Sequence, residues 1–322
     1  MHKITLTTIL AIAFACQPGT RTSEIPSDQQ EAPKDPNQIY NFMGEELPKK
    51  ELRPEALKKL EKNLVSAFFE FQSYPDSLEL RIWYGRRLAY LGKYLEAIQV
   101  YSDGIVLFPE SHQLRRHRGH RHITSRQIEK AVIDLEEAAN LSENSANQIE
   151  PDGIPNKLNQ PLSNDKFNIW YHLGLAYYLN GRFDKALSSY IQCQEYSDNE
   201  DLKTATTYWQ YLTYHKLGNS ELANELISKF DTDINLVEND TYLDLLRLFK
   251  NELDPESLTK QATTENGHLI PTLAYGIGAY YQHQGKFDKA NELFLRVLDS
   301  PHWDAFGYIA SEAELTTIFP VP

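Results

Sequence analysis

An all-α fold, a solenoid of repeated helical units, is the class this sequence predicts, and three observations predict it. The first is a period: Gly85 recurs as Gly119, Ala97 as Ala131 and Pro75 as Pro109, each pair 34 residues apart. The second is a near-verbatim return, GRFDKA from Gly181 to Ala186 and GKFDKA from Gly285 to Ala290, 104 residues on, or three periods plus two. The third is apolar residues at helical spacing, as at Leu57, Leu60, Leu64, Phe68 and Phe71. Self-similarity at such a period marks stacked supersecondary units. One unit cannot cover its own apolar face, so neighbours stack to bury it.

From the N-terminus, Met1, His2 and Lys3 precede an apolar run from Ile4 through Ala15, too short to span a bilayer and reading as an export signal. Its end at Ala15 and Cys16 resembles the lipobox of bacterial lipoproteins, although the places two and three before the cysteine hold Phe14 and Ala13, where that pattern prefers a small residue and Leu. The resemblance implies that Cys16 is acylated, becomes the mature N-terminus and anchors the protein in the cell envelope. With Gln17 following, the expected site is the outer membrane, and the alternative is a plain secretory signal with a secreted or periplasmic product. Residues 17–45, rich in Pro, Ser, Thr, Gln, Glu and Asp, are expected to form a flexible tether, and residues 46–320 the folded solenoid.

The amphipathic segment from Pro54 to Ser73 takes the second-helix place of a half repeat ending at Pro75. Whole units follow at 78–111, with Gly85, Leu88, Gly92, Ala97 and Tyr101, and at 112–145, with Gly119, Ala131, Leu135 and Ala138 but Arg126 where the turn glycine belongs. Gly92 to Gly181 spans 89 residues, two periods plus 21, so an inserted loop is expected at 146–166, either a functional lid or a linker. Phe167 to Glu200 carries Trp170, Leu173, Gly174, Tyr177, Gly181, Ala186 and Tyr190, with Cys193 at a close-packed position. A worn unit at 204–237, a degenerate one at 238–270 and a clear one at 271–304, with Gly278, Tyr281, Gly285, Ala290 and Phe294, complete the array before a capping helix from Asp304 to Ile318.

This order of aromatic, Leu-Gly, Tyr, Gly, Ala and aromatic positions resembles the tetratricopeptide repeat, a 34-residue helical hairpin. The resemblance covers about three quarters of the chain. It implies a right-handed α-solenoid of about five to six hairpins with terminal capping helices, and a concave groove that binds a protein or peptide.

Composition bounds the function. The 322 residues carry a net charge of −13, which argues against a general nucleic-acid binder, and 19 tyrosines, more than an average soluble chain carries. Against that acidity, Arg115 to His122 reads RRHRGHRH. On a first helix it turns Arg116 and His120 toward the groove, beside Arg86 and Tyr90 of the preceding unit and Tyr171 and Tyr178 of the next. Those six are the candidate binding residues, and guanidinium forks there suit the carboxylates of an acidic partner. The alternative is that the arginines pair with acids of neighbouring helices such as Glu129, Asp134, Glu136 and Glu137, with Arg118 or His122 buried against one of them. His117, His120 and His122 do not have metal-ligand spacing, and no nucleophile motif, phosphate loop or dinucleotide fingerprint occurs, so neither metal, cofactor nor catalysis is expected. Two further readings are capture of a glycan by Trp170, Trp209 and groove tyrosines, and an enzyme built on the Arg and His cluster. Membrane contact is expected through the N-terminal anchor alone, and nothing in the sequence specifies an oligomeric state.

Overall fold

The structure, a computed structural model, describes residues 35–316, so Cys16 and the signal lie outside the described residues. Helices follow one another from α1 (Pro54–Ser73) through α2 (Leu78–Tyr90), α3 (Tyr94–Leu107), α4 (His112–Thr124), α5 (Ile128–Ser142), α6 (Asp165–Leu179) and α7 (Phe183–Glu195). They continue as α8 (Glu200–Lys216), α9 (Ser220–Lys229), α10 (Asp240–Phe249), α11 (Pro255–Ala262), α12 (Pro271–His283), α13 (Phe287–Val297) and α14 (Phe306–Glu314). The described residues contain isolated bridges but no strand, and none of their helices is long and apolar enough to cross a membrane. The protein is thus an all-α solenoid, with α2 to α9 forming four hairpins and α12 and α13 a fifth, while α10 and α11 both pack on α12.

Local chemistry starts and stops these helices. Ser77, Ser111, Asn164 and Asn199 each accept a backbone N–H two or three residues into the following helix, which satisfies one of the donors a helix N-terminus leaves over. Between the helices of each hairpin one residue adopts a left-handed conformation, Gly92, Gly181, Gly218 and Gly285 in four and Arg126 (φ 62°) in the fifth, and Asn251 (φ 59°) does the same between α10 and α11. The units that look worn in sequence therefore keep the same turn, Asn being the usual substitute for Gly there. Arg126 is not, and holding it there costs ~1–2 kcal/mol. Its reason lies in the site described below.

Packing within a hairpin depends on a missing side chain. Tyr101 lies on Gly85, Leu135 on Gly119, Tyr190 on Gly174 and Phe294 on Gly278, each so close that a Cβ would overlap the facing side chain. The second helices from α3 to α7 each pack against their own first helix and the next one, so the apolar face is continuous through Leu114, Leu135, Tyr190, Trp209, Tyr275 and Phe294. Cys193 is fully buried in this core, against the carbonyl of Phe167 and the hydroxyl of Thr206. Burial pushes its thiol up to about 12, the state of a packing residue and not of a redox centre.

The tether expectation is corrected at its end. Residues 36–45 belong to the folded unit: Asn41 and Leu47 are buried, Ile39 and Phe42 lie against the core, and Tyr40 bridges to Glu46. Composition missed this because the segment packs by a few residues, not by a periodic face. The capping helix lies on the last hairpin as expected, and it reaches further. α14 packs on both helices of that hairpin, α12 and α13, and also touches α6, with Gly307 to Ala313 all buried.

Candidate functional site

The first-helix face, expected to be an open groove, is largely filled by the chain itself. Phe306 of α14 sits with its ring 5.4 Å from His120, 5.7 Å from His172 and 6.4 Å from Tyr171. Tyr171 is buried, its hydroxyl receiving the Trp209 indole N–H at 2.8 Å and sharing a hydrogen bond with Tyr242 at 3.0 Å. Tyr178 is fully buried on Tyr275, hydroxyl to hydroxyl at 2.7 Å, and Tyr275 donates onward to Glu314 at 3.1 Å. Neither tyrosine is available to a partner, a correction that follows from α10, α12 and α14 occupying the space in front of them. Trp209 is equally enclosed, whereas Trp170 is only partly buried against the core.

Arg126 closes this arrangement. From its left-handed turn its Nε and NH2 hold both oxygens of Glu312 at 3.0 and 2.6 Å, and NH2 also reaches the Trp303 carbonyl at 2.7 Å. The Glu312 side chain is 0% exposed and that of Arg126 4%. Burial pushes the Glu312 carboxyl up, with Arg126 opposing. Lys50 and Tyr94 hold Asp304 at 2.6 and 2.7 Å, and Lys216 holds Glu314 at 2.6 Å. The first hairpins and the N-terminal segment are thus bolted to the C-terminal helix.

The other half of the predicted site is brought together, but on the inserted loop. The loop neck is fastened by Glu150 N–H to Ser163 O and Asp165 N–H to Gln148 O, both 2.9 Å. Glu150 meets Arg116 at 3.2 Å and Arg86 and His117 at 3.8 Å, and accepts from Asn168 at 2.9 Å. Arg86 also bonds the Pro151 carbonyl at 2.8 Å and the Tyr90 hydroxyl at 3.2 Å, and Arg87 the Gly153 carbonyl at 2.9 Å. Arg86, Tyr90 and Arg116 therefore converge as expected in space, while their charges are met by the chain's own loop. Elsewhere in the basic run Arg118 forks onto Asp134 at 2.6 and 2.8 Å, with His122 3.5 Å from the same carboxylate, while Arg115 reaches the Pro109 carbonyl at 2.8 Å and Arg121 lies over the Tyr94 ring at 5.5 Å. Burial, then Arg118, lowers His122 to about 3.

Beside the loop neck an open cleft of about 440 Å³ remains, walled by Leu78, Ile82 and Trp83 of α2, by His112 and Arg116 of α4, and by Ile149 and Glu150 of the loop. Ile149 is 55% exposed, and Arg86 lies over the Trp83 ring at 4.4 Å. Sequence reasoning missed Trp83, Ile149, Glu150, Phe306 and Glu312. The one advance signal was Arg126 standing where a glycine belongs.

A stack of helical hairpins with close glycine–aromatic contacts defines a helical-repeat scaffold. Residues 167–200, the hairpin of α6 and α7, match the family model of the tetratricopeptide repeat, so that hairpin is a tetratricopeptide repeat. Among curated proteins no sequence matches. Similar solved structures include YrrB, described as a TPR protein with an unusual peptide-binding site, at 14% identity over 78% of this chain and 98% of that one, TM-score 0.41. Another is Naa15/Naa10 bound to HypK-THB, at 16% identity over 79% of this chain and 36% of that one, TM-score 0.37.

Proposed function

We propose that this protein is an envelope-anchored interaction scaffold that takes a segment of a partner protein in the cleft between α2, α4 and the 146–166 loop. The observation that carries this is a division of labour on the first-helix face. α14 and its ion pairs occupy the part over α6, while the part over α2 and α4 keeps an apolar wall of Leu78, Ile82, Trp83 and Ile149 open to solvent beside a firmly tied loop. A partly exposed aromatic next to charged rim groups is the composition of a binding hot spot. Arg86 and Arg116 position the loop in this reading, and an acidic residue on the partner would compete with Glu150 for them. The anchor is Cys16, acylated after export.

The reading is of a scaffold and not of an enzyme, because the Arg and His side chains that a catalytic site would draw on are engaged with Glu150, Asp134 and one another. The partner is recovered by crosslinking in intact envelopes and tested against purified variants. Trp83→Ala and Ile149→Ser are expected to weaken binding at least tenfold, hot-spot truncations costing about 2 kcal/mol or more. Unchanged affinity in both would remove the cleft from consideration. Mass spectrometry of the mature N-terminus, with Cys16→Ser as control, tests the anchor separately.

A further inference from the structure

We propose that acid releases α14 from the first-helix face, with His120 and His172, stacked on each other and on Phe306, serving as the pH-sensitive clasp. The two imidazoles lie 4.2 Å apart, one on α4 and one on α6, and both rest on the first residue of α14. The charges around them are of one sign. α4 contributes Arg116, His117 and Arg121, α6 contributes the neutral Tyr171, and α14 contributes the apolar Phe306. The acids of α14, Glu312 and Glu314, are bound elsewhere, to Arg126 and Lys216, and Glu150 faces Arg116 and His117. His172 gives its Nδ1 hydrogen to the Asn168 carbonyl. Among the described residues no carboxylate is bonded to either ring, so a proton on the buried His172 has cations for neighbours and apolar surface for solvent, and one on the part-buried His120 has the same cations beside it.

Closed, the site therefore holds both rings neutral: burial first, then the surrounding arginines, lower both well below the usual histidine range. Opening restores them to about 6.5. The closed form is fully favoured above that pH and loses ground as pH falls below it, since the open form then binds more protons. A histidine released at pH 5 shifts the opening equilibrium about 30-fold, and two released together about 1,000-fold. Opening uncovers Tyr171 and the neighbouring first-helix surface.

Hydrogen exchange on the full chain at pH 7.5 and pH 5.0, corrected for the intrinsic pH dependence of exchange, tests this. In the wild type, residues 306–314 are expected to exchange about 30-fold faster or more at pH 5.0, with α3 remaining the slower-exchanging helix at both pH values. The variant His120→Phe/His172→Phe, which keeps ring packing and removes the titration, is expected to change less than threefold. A pH-independent wild type, an undiminished response in the variant, or an equal acceleration in every helix would overturn the proposal. Should the double variant not fold, His120→Phe alone must reduce the acid response, and an unreduced response there counts against the clasp equally.

Discussion

Arg126 concentrates the argument at the scale of single residues. It stands in a left-handed turn that favours glycine and tolerates the strain because its side chain neutralises a fully buried glutamate. Removing one member of such a pair leaves an uncompensated charge in the core, so Arg126→Ala is expected to destabilise by about 3–5 kcal/mol in urea denaturation. Arg126→Ala/Glu312→Gln should recover part of that loss, and a single-variant loss below about 1 kcal/mol would show that the pair does not hold α14. The presence of this residue was legible in sequence as a departure from the repeat, but its partner was not. Glu312 lies 186 residues away, and neither period nor composition links positions so far apart. The same distance explains why Tyr171 and Tyr178 were read as groove residues: helical spacing placed them on the inner face correctly, and only the fold shows α12 and α14 covering that face.

Among elements, the hairpins were the legible part, because four of them repeat a glycine beneath a large facing side chain and all repeat a turn at fixed offsets. The N-terminal segment and the inserted loop were not, since each is fastened by unrepeated contacts. Two predictions belong here. Deleting residues 17–35 should leave the unfolding transition unchanged, whereas extending the deletion through residue 50 removes Leu47 packing and the Lys50–Asp304 bond and should lower the midpoint. Equal midpoints would return 36–50 to the tether. In the loop, a Cβ at Gly153 would overlap the Tyr90 hydroxyl. Gly153→Val should therefore detach the loop and speed its cleavage in limited proteolysis without altering the helical spectrum, and unchanged cleavage would mean that the loop is not held there.

For the molecule as a whole, His117, His120, His122, His172, His215 and His283 are all held neutral by burial, with pKa values pushed down, His122 to about 3 and His215 to about 4. Unfolding frees them to take protons, so global stability is complete above pH 6.5 and falls steadily toward pH 4. Denaturation midpoints flat across that range would contradict this burial. The central claim is that an interior closed by the chain itself leaves the cleft of α2, α4 and the loop as the surface that engages a partner. Site-specific photocrosslinking tests it most directly, with the reactive group at position 83 in the cleft, at 222 on the exposed side of α9, or at 178 in the closed interior. The account predicts one discrete adduct from position 83, competed away by the purified partner, and none from the other two. An adduct from position 222 with none from 83 would contradict it.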